Sequence, residues 1–143
     1  MLQNSIRKGI LRVIDILRMD QSPNGSWNYP FETGVATDCY MIILLRTLGI
    51  HEENLIQRLT KRILSRQEKS GGWKLFIDEE KENVSATVEA YYALLYSGYC
   101  KKSDPRILAA KRIILANGGI EKSHMLTKLM LSVTGQMKWP DFF

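Results

Sequence analysis

A short pattern is written twice in this chain. Gln21-Ser-Pro-Asn-Gly25-Ser-Trp27 and Gln67-Glu-Lys-Ser-Gly71-Gly72-Trp73 both read Q-x-x-x-G-x-W, 46 positions apart. Each copy precedes an apolar, helix-like run. A period of about 20–50 residues marks one supersecondary unit stacked on copies of itself, because a single unit cannot bury its apolar face alone. The period therefore constrains the fold before any single residue does.

The repetition runs past the motif. Ala36-Thr37-Asp-Cys-Tyr-Met-Ile-Ile-Leu44-Leu45 aligns with Ala86-Thr87-Val-Glu-Ala-Tyr-Tyr-Ala-Leu94-Leu95 at an offset of 50, four more than the motif's own. The extra residues fall in the polar stretch Asp78-Glu-Glu-Lys-Glu82, where a surface loop absorbs length at small entropic cost. A weaker third copy begins at Gly118-Gly119-Ile120, 47 residues after Gly71-Gly72-Trp73, with Ile in the place of Trp.

Each unit reads as helix, Gly-rich turn, helix. The first helices are predicted over about 5–18, 52–66 and 105–116. Ile6, Ile10, Val13, Ile14 and Leu17 form one stripe, Leu55, Ile56, Leu59, Ile63 and Leu64 the next, and Leu108, Lys111, Ile114 and Leu115 a third row. Spacings of three and four are the amphipathic helix signature. Ser103-Asp104-Pro105 is a helix start, with a capping side chain before a Pro at the first helical position. Gly49 and Gly98 are placed to end the second helices of their units, and the third ends near Gly135 after a run over about 123–134. The second helices are more uniformly apolar, at 40–45 and 90–95, which predicts an inner layer inside the first helices. No convincing strand is present; Trp73-Lys-Leu-Phe-Ile77 is short and isolated. The reading is all-α: one domain over 1–143 with three helix-pair repeats at about 4–50, 51–99 and 103–135.

Composition narrows the function classes. An apolar fraction of 45% in 143 residues supports a packed core of one domain. The start leads into an amphipathic helix without the continuous apolar segment of a signal peptide. The longest uncharged apolar run, 39–45, is far too short to span a bilayer. These features predict a cytoplasmic protein. Cys39 and Cys100 lack a spacing motif and read as free thiols. The net charge is +5, but Lys and Arg alternate with Glu on polar helix faces. That is a solvated surface rather than a nucleic-acid footprint, with attraction to anionic lipid a weaker variant.

The repeated Q-x-x-x-G-x-W resembles the QW motif of the squalene-hopene cyclases and their relatives, the class II triterpene cyclases. Asn83-Val84-Ser85-Ala86-Thr87-Val88-Glu89-Ala90-Tyr91 looks like the segment of these enzymes where an outer-to-inner crossover begins. Thr127, Lys128, Met130, Leu131, Gly135, Trp139 and Pro140 look like their T-K-x-M-L-x-x-x-G-x-x-x-W-P stretch. The resemblance covers about 4–140 and looks closest to cyclases of spore-forming bacteria. It departs at the missing third aromatic, and at Leu126, Leu129 and Lys138. It implies an α/α-toroid, of which about six helices are half of an (α6/α6) barrel. It also implies structural motifs: Gln21, Gly25, Trp27, Gln67, Gly71 and Trp73 are staples, with the Trp ring against a Gln amide and the Gln tying helix ends. That suits the physics, since Gly admits a tight turn, the ring buries a large area and the amide reaches orphan groups at helix ends.

The chemistry of that family starts when an unusually strong carboxylic acid protonates an alkene. In the family the acid is the middle Asp of a D-x-D-D motif. The aspartates here are Asp15, Asp20, Asp38, Asp78, Asp104 and Asp141, none within three positions of another. There is no D-D-x-x-D motif and no His/Cys cluster with metal spacing; His51 and His124 are isolated. The expectation is therefore no catalytic residue, no metal and no cofactor. The chain reads as an N-terminal fragment, from a truncated or split gene or as a standalone half-barrel, inactive alone. Its expected partners are the remaining cyclase polypeptide or a second copy, with an apolar isoprenoid substrate in the full enzyme and no nucleic acid. The resemblance also implies peripheral, monotopic membrane contact. Tyr91, Tyr92 and Tyr96 are candidate cavity-lining aromatics whose π faces stabilise cations, against the plainer role of core packing. An alternative is a non-catalytic helical module that self-associates, or binds a partner or an apolar lipid. A prenyltransferase-like toroid lacks support, because zinc ligands are not evident.

Overall fold

The computed structural model describes residues 2–28 and 33–139. Six α-helices follow in order: α1 (Leu2–Met19), α2 (Ala36–Thr47), α3 (Glu53–Ser65), α4 (Val84–Ser97), α5 (Pro105–Ala116) and α6 (Met125–Val133). A 3-10 turn, Ile120–Lys122, precedes α6. No strand occurs among the described residues, and 73–77 is irregular. The chain divides into two compact units, 1–32 and 33–143.

In the first unit, α1 is one amphipathic helix. Its predicted stripe shares a face, with Ile6, Ile10 and Val13 each more than half exposed.

The second unit is built around α4, whose contacts reach α2, α3, α5, the 3-10 turn and α6. The sequence explains this position. Ala86, Ala90 and Ala93 let neighbours approach closely, and Val88 and Leu94 fill the space between. Ten of its fourteen residues are buried. The predicted inner character of α4 is thus realised. In α2 it is realised on one side: Cys39, Ile42, Ile43 and Leu45 are buried, while Met41 and Leu44 are exposed.

Local signals set the helix ends. Asp104 caps α5, accepting from the Arg106 N–H at 2.9 Å, with Pro105 at the first turn. Asn83 caps α4 through Ala86 N–H at 3.1 Å. Helix α2 closes at Gly49, which has a φ of +67°. There Ile50 N–H bonds Leu45 O at 2.8 Å and Gly49 N–H bonds Arg46 O at 3.3 Å, the double closure that satisfies last-turn carbonyls.

One face was misread. The core side of α5 is Ile107, Ala110 and Ile114. Leu108 and Leu115, in the predicted row, are 46% and 64% exposed. A small Ala in the contact lets α5 approach α4, and of the predicted row only Ile114 joins the core. Helix α6 also starts two residues later than predicted. Its entry is set by a long-range bond, His124 N–H to Ser85 Oγ at 2.8 Å, which local spacing does not reveal.

Candidate functional site

Three features of the described residues bear on function: the two motifs, a buried carboxylate, and an apolar cavity.

The two motifs make the same local bonds. Gln21 Nε2 donates to Gly25 O at 2.8 Å, and Gln67 Nε2 to Gly71 O at 2.8 Å. Trp27 Nε1 donates to Leu17 O at 2.7 Å, and Trp73 Nε1 to Ile63 O at 2.8 Å. Both acceptors lie in the last turn of the preceding helix, where carbonyls lack a partner along the helix. The indole N–H therefore closes a helix end from the far side of a tight turn.

The second motif also binds the next repeat. Gln67 Nε2 donates to Arg106 O at 2.9 Å, and Arg106 Nε returns a bond to Gln67 Oε1 at 2.9 Å. Arg106 Nη2 donates to Leu64 O as well. The end of α3 is thereby locked to the first turn of α5. Gly71, with φ of +109°, is packed so tightly that a Cβ there would stand 2.6 Å from the Ala109 Cβ. Trp73 is fully buried, and its backbone N–H donates to Thr87 Oγ1 at 3.0 Å, which ties the motif to α4. Trp27 is 46% exposed. The third Gly pair is built differently. Gly118 and Gly119 close α5 directly, and the Asn117 amide donates to Ile113 O at 2.8 Å.

Glu89 is the feature that motif reading missed. It is buried on α4, and its Oε1 accepts from Tyr40 Oη of α2 at 2.8 Å and from Thr127 Oγ1 of α6 at 2.6 Å. One carboxylate thus joins three helices. The available signal was its isolation, since α4 carries no other charged residue. A second buried carboxylate, Asp38, takes a two-pronged contact from Arg62, with Nε at 2.5 Å from Oδ2. Burial, followed by the negative charge of Glu89, holds the Tyr40 phenol well above its ordinary pKa. The same two causes, in the same order, raise the Cys39 thiol, with Asp38 adding to them. Burial raises the Tyr92 phenol too. These groups stay protonated near neutral pH, so none of them is an ionised nucleophile.

A cavity of about 460 Å³ lies between α4, α5, the 3-10 turn and α6. Val88, Tyr91, Tyr92, Ile114 and Leu131 form its walls. Of the predicted aromatics, Tyr91 and Tyr92 line it. Tyr96 instead stacks on Tyr92, with centroids 5.2 Å apart. No group of His, Cys, Asp and Glu among the described residues has the geometry to hold a metal ion. No described helix is long and apolar enough to cross a membrane.

An all-helical chain whose described turns are closed twice by the same Gln–Gly–Trp bonds fits the α/α-toroid class. The sequence profile of the squalene-hopene cyclase N-terminal domain matches residues 10–143, and the chain belongs to that family. Sporulenol synthase of Bacillus subtilis is 33% identical over 99% of this chain and 23% of its own length. Squalene-hopene cyclase of Zymomonas mobilis is 31% identical over 96% of this chain and 21% of its own length. That of Alicyclobacillus acidocaldarius is 27% identical over 90% of this chain and 20% of its own length. The chain therefore spans less than a quarter of the length of these relatives.

Proposed function

We propose that this chain is a scaffold portion of a class II cyclase acting on a triterpenoid or polyprenoid precursor, and that it is inactive by itself. The observation that carries this reading is a pairing. The chain matches the cyclase N-terminal domain over residues 10–143, yet its 143 residues contain no D-x-D-D acid. The motif residues Gln21, Gly25, Trp27, Gln67, Gly71 and Trp73 act as clamps in this proposal. Tyr91 and Tyr92 serve packing first and a cavity wall second, and Tyr96 serves packing alone. The partner is the remaining cyclase polypeptide, the substrate an apolar isoprenoid, and the location cytoplasmic with peripheral membrane contact.

The test is reconstitution. The purified chain is incubated with squalene, alone and with a co-expressed polypeptide carrying the D-x-D-D motif and the remaining helices. Products are read by gas chromatography and mass spectrometry. Cyclised product is expected only from the pair. Product from the chain alone overturns its inertness, and an inactive pair that forms no complex overturns the scaffold role.

A second reading is a helical module that pairs with itself. Exposed Met41 and Leu44 on α2, and Leu126 and Val133 on α6, favour it. A chain that sediments as a monomer at every concentration would sink that reading.

A further inference from the structure

The cavity has an origin in the repeat. Ile120 lines it and stands in register with Trp73. Trp73 is fully buried, whereas Ile120 stays 38% exposed. A four-carbon side chain thus holds the position of an indole. A Cβ added at neighbouring Gly119 would meet nothing within 4 Å, so the backbone beside Ile120 is open as well. The walls are hydrocarbon and aromatic, the setting in which small apolar groups bind.

The charge at the edge of the cavity is unbalanced. Glu121 borders it but is paired with Lys128 at 3.5 Å. Lys111 also borders it and has no ion-pair partner among the described residues. A cation beside an apolar wall favours an anion carried on an apolar body.

We propose that this cavity binds an amphiphile with a hydrocarbon chain and a carboxylate head. The chain lies against Val88, Ile114 and Leu131, and the head meets the Lys111 ammonium. The test uses no cyclisation, so its failure is distinguishable from failure of the cyclase reading.

The probes are decanoate, octanoate and decanol, each below its micellar concentration, titrated calorimetrically into the 143-residue chain. Decanoate is expected to bind about tenfold more tightly than decanol. Each methylene between octanoate and decanoate is expected to tighten binding about fourfold. Lys111→Glu lowers decanoate affinity to the level of decanol, and Lys111→Arg preserves it. Ile120→Trp fills the space and removes binding of both probes, with thermal unfolding confirming that the variant is folded. Lys111 is exposed, so its variants keep the test decisive if Ile120→Trp does not fold. Equal affinity for decanoate and decanol overturns the proposal. So does an absence of binding heat, or decanoate affinity unchanged in Lys111→Glu. Binding that weakens as protein concentration rises also overturns it, by making a second copy the occupant.

Discussion

Trp27 and Trp73 make the same hydrogen bond in settings of opposite burial, which separates the bond from the packing. Replacing Trp27 by Phe removes one indole N–H from a last-turn carbonyl, a loss of about 1 kcal/mol, and at buried Trp73 the void left by the smaller ring adds to that. Replacing either by Ala also removes the ring. For Trp73, buried completely, that costs about 3–5 kcal/mol. For Trp27, nearly half exposed, it costs much less. Urea unfolding of the four variants checks this, and Ala substitutions of equal cost at the two sites refute it. The glycines divide the same way. Gly25→Ala meets only the penalty of a positive φ, about 1–2 kcal/mol. Gly71→Ala meets that and the overlap with Ala109, so its unfolding midpoint falls further. These six motif residues were legible because a tight turn fixes their spacing along the chain. Glu89 was not legible. Its two donors sit 49 and 38 positions away, and no local spacing records them.

Helix ends, where a backbone group demands a partner nearby, were read closely: α5 begins at Pro105 behind Asp104, and α4 stops before Gly98. Helix faces were harder. The row through Leu108 and Leu115 has the right period, but burial depends on which side the neighbour occupies, and that is decided in three dimensions. The junction of α2, α3 and α4 shows the same principle. Arg46 Nη1 bonds Glu53 Oε1 at 2.6 Å, and Arg46 Nε bonds Ser97 O at 3.2 Å. Tyr99 Oη donates to the same Glu53 carboxylate. Arg46 first, then Tyr99, pull the Glu53 pKa from 4.5 down to about 2. A depressed carboxylate pKa stabilises the fold above the unfolded value, and this is lost as pH falls through the folded value. The contribution is therefore complete above 4.5 and gone below about 2. Glu53→Gln is expected to melt below the wild type at neutral pH, with the gap closing across that acidic window. The carboxylate is solvent-facing, so added salt also narrows the gap. A gap that persists unchanged to the acid limit contradicts the assignment.

At the level of the whole second unit, one helix carries the fold, and one carboxylate on it decides how the last helix is held. Helix α4 touches every other helix of the unit, so its amides should exchange most slowly with deuterium. Helix α6 is nine residues long, and three of them are buried: Thr127, Leu131 and Ser132. Its polar anchors to α4 are Thr127 on Glu89 and the His124 N–H on Ser85. Glu89→Ala removes the acceptor and strands the buried hydroxyl of Thr127 and the half-buried phenol of Tyr40, whereas Glu89→Gln keeps a carbonyl that both can use. A bond to a charged acceptor contributes about 1.5–3 kcal/mol, so losing the Thr127 anchor raises local opening of α6 by at least about tenfold. The expected pattern in Glu89→Ala is fast exchange over 125–133, with 53–65 unchanged because α3 has no bond to Glu89. Glu89→Gln keeps a neutral acceptor but not the charge, so its exchange over 125–133 should fall between the wild type and Glu89→Ala, with 53–65 unchanged. Equal acceleration in α3 and α6 would instead mean that the unit opens only as a whole, and that Glu89 contributes to global stability without acting as the specific clasp of α6.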